Sequence, residues 1–128
     1  MDDDSQAAVI DGLLLTRDLM FTSKVTGTAA ALGLTVEVVG TIESLQSRAV
    51  ATRPRAVFID LACADFAPHE VINQLAEIPR PCVIAFGSHV DVDRLEAARL
   101  AGCDDVMPRS RFSSSLPEIL RQTFKLTE

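Results

Sequence analysis

The chain has 128 residues, 48% of them apolar, and a formal net charge of −6. That length and apolar content fit one domain with its own core and argue against disorder as a description of the whole chain. The acidic balance, with no Trp and no Tyr, argues against a general nucleic-acid binder, which carries a basic face.

Residues 1–7 include Asp2, Asp3 and Asp4 and read as a flexible, solvated acidic start, ahead of a single domain over 8–126. Cys63, Cys82 and Cys103 are far apart and odd in number, and the chain has only two histidines. No C-x-x-C pair occurs, so a structural zinc site is not expected, and the cysteines read as reduced thiols of a cytoplasmic protein. No signal-peptide pattern precedes the first expected strand. No apolar run approaches the roughly 20 residues of a membrane helix, so a soluble chain without a membrane partner is expected.

The first strand is expected at residues 10–15, followed by a turn at Thr16-Arg17-Asp18 in which Thr16 or Asp18 caps a helix. Phe21, Val25, Ala29 and Leu32 recur at helical spacing and Gly33 stops that helix. The β-branched run 35–39 is the second strand. Ile42, Leu45 and Ala49 mark a short helix ending near Arg53-Pro54. Residues 56–61, Ala-Val-Phe-Ile-Asp-Leu, are apolar up to a single aspartate and read as a strand buried on both faces, with Asp60 at its carboxyl end.

The loop 62–67 leads to a helix that Pro68 starts and Pro79 closes, with Val71, Ile72 and Leu75 inward. Residues 81–86 form the fourth strand and Gly87-Ser88-His89 its exit loop. Asp91 or Ser88 caps the next helix, with Leu95, Ala98 and Ala101 on one side and Gly102 as its stop. Residues 104–107 are a short fifth strand and 108–112 a loop. A last helix turns Leu116, Ile119, Leu120 and Thr123 inward.

Strand and helix thus alternate five times. Short connections between apolar strands predict a parallel sheet covered on both faces, a flavodoxin-like α/β three-layer sandwich of strand order 2-1-3-4-5 with five helices. Ligands of such sheets sit at the strands' carboxyl edge, at the switch point between strands one and three. That places Thr16-Arg17-Asp18 and Asp60 at one crevice.

The segments Ala56-Val57-Phe58-Ile59-Asp60-Leu61 and Ala98-Arg99-Leu100-Ala101-Gly102-Cys103-Asp104-Asp105-Val106 resemble the receiver (CheY-like) domain of two-component response regulators, with Pro81-Cys82-Val83-Ile84 fitting the fourth strand. The resemblance covers about residues 8–125. It implies that Asp60 matches an aspartate phosphorylated by a histidine kinase. In that family two acids after the first strand hold Mg²⁺, a Thr or Ser after the fourth strand binds the phosphoryl group, and a Lys before a proline pairs with it. Phosphoryl transfer rests on positioning and charge neutralisation, and Mg²⁺ takes near-octahedral oxygen ligands.

By the same resemblance this chain departs from most of that set. The acid pair falls on Thr16-Arg17-Asp18, and in either register one acid becomes Arg17. Arg17 puts a fixed positive charge where the cation belongs and can pair with Asp60 in its place. The Thr/Ser position falls on Phe86, the Lys on Arg109, the proline on Ser110 and the aromatic switch position on Val106. The implied metal set is empty, with a weak divalent site at Asp18 and Asp60, helped by Asp65, as its rival.

The sequence therefore reads as a degenerate, stand-alone receiver-like domain. It is a protein-interaction module in signal transduction, not an enzyme, without cofactor. Asp60 is held by Arg17 or Arg109, and Phe86 plugs the former phosphate pocket. The partner and homodimer surface implied by the family is the face of the fourth helix, fifth strand and fifth helix, carrying Arg94, Glu96, Arg99, Arg109, Arg111 and Phe112. The alternative is a working phosphorelay receiver, with Mg²⁺ and Asp60 as acceptor. A flavodoxin-type cofactor binder lacks its phosphate loop at Thr16-Arg17-Asp18-Leu19-Met20-Phe21.

Overall fold

The computed structural model describes residues 9–126. The acidic stretch 1–7 lies outside the described residues. The elements in chain order are β1 (Gly12–Leu15), α1 (Leu19–Ala31), β2 (Val36–Val39), α2 (Ile42–Thr52), β3 (Ala56–Asp60), α3 (Pro68–Gln74), β4 (Cys82–Gly87), α4 (Val92–Ala101), β5 (Asp105–Pro108), α5 (Arg109–Ser114) and α6 (Leu116–Thr123). All strand pairs are parallel and the sheet order is β2-β1-β3-β4-β5.

The strands are short and apolar because both faces of the sheet are covered. Alternate residues point to opposite sides. Leu13, Leu15, Val57, Ile59, Val83 and Ala85 face one layer, made by Leu45 and Ala49 of α2, Val71 of α3, and Leu95 and Ala98 of α4. Leu14, Phe58, Ile84, Phe86 and Met107 face the other, made by Phe21 and Val25 of α1, Phe112 of α5, and Leu116 and Leu120 of α6.

Local chemistry sets the helix ends. Asp18, not Thr16, caps α1, accepting from the Phe21 amide. Thr41 and Ser44 form a reciprocal capping box on α2. Asp91 caps α4 and Gly102 ends it in the left-handed region at φ 101°, where a side chain is strained. Two expectations are corrected. Helix α3 ends at Gln74, before Pro79, with turns filling the interval. Residues 109–112 are helical rather than a loop, so the described residues hold six helices and not five. Pro108, extended at φ −63° and ψ 146°, releases the chain from β5 straight into α5.

Candidate functional site

Asp60 is the last residue of β3, the central strand, and only 3% of it is exposed. A carboxylate so buried needs its lone pairs filled. Its Oδ2 accepts from the Thr16 hydroxyl at 2.7 Å and from Arg109 Nη2 at 2.7 Å, while Oδ1 accepts from the Ala62 amide at 3.0 Å. The hydroxyl of Thr16, at the exit of β1, also accepts from the Asp18 amide at 3.1 Å. One side chain thus ties the β1–α1 turn to Asp60.

Arg109 opens α5 and lies across the mouth of the site. Its Nη1 is 3.5 Å from Asp18 Oδ2, so one guanidinium spans both carboxylates. Its flat face covers the Phe21 ring at 4.5 Å and lies 5.6 Å from that of Phe86. Beneath it Phe86 stacks on Phe112, centroids 4.3 Å apart and planes within 9°, and Phe21 closes the cluster 5.0 Å from Phe86. The pocket that a hydroxyl would line is filled by ring carbon, with both Phe86 and Phe112 fully buried. A guanidinium resting on an aromatic face while bound to a carboxylate is held on two sides.

Arg17 does not reach Asp60. It turns away, donating from Nε to the Gly40 carbonyl at 2.9 Å and from Nη1 to Asp65 at 3.0 Å, with its guanidinium 5.2 Å over Phe66. The pairing open to Arg17 from its sequence position is therefore corrected: Asp65 and a backbone carbonyl take the charge, because the side chain is half-exposed and points along the loops rather than into the sheet edge. Beside it opens a cleft of about 240 Å³ whose charged lining is Arg17, Glu43, Asp65 and Glu70, and which does not include Asp60.

Mg²⁺ requires several oxygen ligands held near octahedral geometry. Here Asp18 and Asp60 both face the guanidinium of Arg109, and Asp65 faces that of Arg17. Among the described residues no three His, Cys, Asp or Glu side chains gather as a metal-holding group. The arrangement does not fit the ion, since its place is taken by a covalently tethered cation.

Two residues of the expected partner face lie elsewhere. Phe112 is core, and Arg94 reaches inward to the loop after β3, donating to the carbonyls of Leu61, Cys63 and Phe66. Of the outer set, Glu96 and Arg99 pair with each other on exposed α4 at 3.3 Å and Arg111 is exposed. Ser88 and His89 are exposed in the β4 exit loop. Thr16, expected at the same crevice as Asp60, meets it through its hydroxyl, which one residue past a buried strand is well placed for a neighbouring strand-end carboxylate.

No protein-family model matches the sequence. The comparison with curated proteins likewise returns no match. Among solved structures, the chain is similar to the receiver domain of a response regulator from Bermanella marisrubri, with 16% identity, a TM-score of 0.76, and coverage of 88% of this chain and 96% of that one. A response regulator from Thermotoga maritima gives 15% identity, a TM-score of 0.74, and coverage of 92% and 99%. A CheY-like protein, tadZ, from Pseudomonas aeruginosa gives 22% identity, a TM-score of 0.71, and coverage of 89% and 98%. The fold is that of receiver domains.

Proposed function

We propose that this chain is a receiver-fold interaction module in signal transduction. Its acceptor-type site is held in one state by an internal arginine rather than cycled by Mg²⁺ and phosphoryl transfer. The observation that carries the reading is the 2.7 Å contact of Arg109 Nη2 with a buried Asp60 carboxylate, whose remaining oxygen is taken by the Ala62 amide. A phosphoryl donor would have to displace that guanidinium, and at the end of β4 the ring of Phe86 stands where the resemblance places a hydroxyl to receive the group. In this reading the domain catalyses nothing, needs no cofactor and works in the cytoplasm.

The surface we assign to a protein partner, or to a second copy, is the outer side of α4 with the adjoining β5 and start of α5. Its support is apolar exposure beside charge: Val92 and Leu100 are 64% and 79% exposed, next to Glu96 and Arg99. No nucleic-acid or membrane role is assigned, in keeping with the net charge of −6.

The second reading, in which Asp60 accepts a phosphoryl group from a histidine kinase with Mg²⁺ bound, draws on one observation. Asp60 does sit at the carboxyl end of the central strand, beside the switch point between β1 and β3. Intact-mass measurement after incubation with Mg²⁺ and a small acyl phosphate separates the two. An unchanged mass is expected, and a phosphate adduct that disappears in Asp60→Ala would overturn the proposal.

A further inference from the structure

Arg94 stands in the first turn of α4, yet its side chain leaves the helix and forks onto the loop that follows Asp60. Nε donates to the Leu61 carbonyl at 2.7 Å, and Nη2 donates to the Cys63 carbonyl at 3.0 Å and the Phe66 carbonyl at 3.4 Å. Only 26% of the side chain is exposed, and its nearest carboxylate, Asp91, is 4.0 Å away. The fixed planar fork suits a charge spread over several backbone oxygens, which a lysine could not span. Three carbonyls of an irregular loop converge on one helix residue, and that of Cys63 also accepts from the Phe66 amide.

The same junction is packed as well as bonded. A Cβ added to Gly87 would lie 3.1 Å from Leu61 Cβ and 3.6 Å from Leu95 Cδ2, so the bare glycine lets the end of β4, the loop and α4 close on one another. The Leu61 amide donates to the Phe86 carbonyl, and the next amide, Ala62, holds Asp60 Oδ1. A bonded path therefore runs from Arg109 through Asp60 and the loop backbone to Arg94. Beside the apolar packing of Leu95 and Ala98 against β4, this is a hydrogen-bonded path from the site to α4.

We propose that Arg94 is a latch that makes the loop 61–66 and the first turn of α4 one mechanical unit, so that loss of the Asp60–Arg109 pair is transmitted to the outer surface of α4. Arg94 is a positioning residue, acting through backbone carbonyls. The latch does not depend on whether Asp60 accepts a phosphoryl group: an adduct in the mass measurement would overturn the proposed function and leave the latch standing.

The test is amide hydrogen exchange on the full chain for wild type, Arg94→Met, Asp60→Asn and the double variant. Met keeps the apolar stem and removes the fork. Losing hydrogen bonds from a charged donor should speed exchange of the amides of residues 95–101 roughly tenfold in Arg94→Met, with those of β1 and β2 unchanged. Asp60→Asn should raise exchange in α4 when Arg94 is present and add nothing in the double variant. An equal effect of Asp60→Asn with and without Arg94, or no effect in either background, overturns the latch. So does exchange that rises uniformly through the sheet in Arg94→Met, which would make Arg94 a plain stability residue. Should Arg94→Met not fold, Arg94→Lys retains the charge without the fork, and the same comparisons decide.

Discussion

At the scale of single residues, the Asp60–Arg109 pair is unequal. Asp60 is sealed in, with 4% of its side chain exposed, whereas Arg109 keeps 29% of its own in contact with water and has Asp18 as a second partner. Removing Arg109 strands a buried negative charge, and removing the charge of Asp60 leaves a cation that can turn outward. Breaking a fully buried pair costs about 3–5 kcal/mol, and water reaching the site in the variant places Arg109→Ala at about 2–3 kcal/mol. That corresponds to a melting temperature lower by roughly 10 °C. Asp60→Asn gives up the charge that holds Arg109, keeps an acceptor for the Thr16 hydroxyl, and should cost about 1 kcal/mol. Thermal melts of the two variants check the order; a larger drop for Asp60→Asn than for Arg109→Ala contradicts it. The sign of the partner was legible, because a buried carboxylate needs a cation, and Arg109 was one of two candidates through the resemblance, which places a Lys after strand five beside the acceptor. The fate of Arg17 was not: charge names the sign of a partner, but Asp60 and Asp65 both offer a carboxylate, and only the path of the side chain over Phe66 chooses between them.

The cysteines provide a second residue-scale outcome. Burial pushes the Cys103 thiol up to about 11, with the Arg80 guanidinium opposing and Asp104 adding to the rise; burial also raises Cys82. A thiolate is the reacting species, so at pH 8 alkylation of native Cys103 should be roughly a hundredfold slower than after unfolding. Native and denaturant-treated samples labelled with iodoacetamide and mapped by mass provide the ratio. The sign also fixes the pH dependence. The folded state binds this proton more tightly than the unfolded one, so its contribution is complete below the free-thiol value of 9.0 and is lost as pH rises from there through about 11.

At the scale of elements, the stack of Phe86 on Phe112 joins β4 to α5 where the resemblance places a hydroxyl and a phosphate pocket. Truncating a buried phenylalanine costs about 3–5 kcal/mol, so Phe86→Ala should reduce urea-unfolding stability by that amount. Phe86→Thr should fare little better, because the new hydroxyl would face Phe21 and Phe112 rather than a polar partner. A loss under 1 kcal/mol for either would mean that Phe86 is not a packing element. The strands were legible within two residues at each end, since a doubly covered strand writes itself as an apolar run. Helix α5 was not. Arg109-Ser110-Arg111-Phe112 carries neither a side-chain cap nor an apolar period, and its helical form comes from Phe112 being drawn onto Phe86 and Phe58, a tertiary contact. Arg94 escaped for the related reason that helical spacing reports which side of a turn a residue leaves from, not how far a long side chain folds back.

At the scale of the whole molecule, a receiver fold is kept around a site whose charge is neutralised from within. That internal balance predicts how the protein answers an external cation. A ligand stabilises the native state by RT ln(1 + [L]/Kd), about 2.7 kcal/mol at a hundredfold excess over Kd. Wild-type protein offers Mg²⁺ no free carboxylate pair at Asp60, because Arg109 already satisfies Asp60 and Asp18. Its melting temperature should therefore be the same in about 10 mM MgCl₂, where the Debye length is on the order of 20 Å, as in NaCl of matched ionic strength. Arg109→Ala leaves those two carboxylates without their shared cation, the circumstance in which a hard divalent ion is favoured. Mg²⁺ should then recover part of the stability that this variant loses, and doubly substituted Asp60→Asn/Arg109→Ala should recover none. A Mg²⁺-dependent rise in the wild type would show that the guanidinium is displaced by the ion rather than standing in for it, and would move the balance toward the phosphorelay reading.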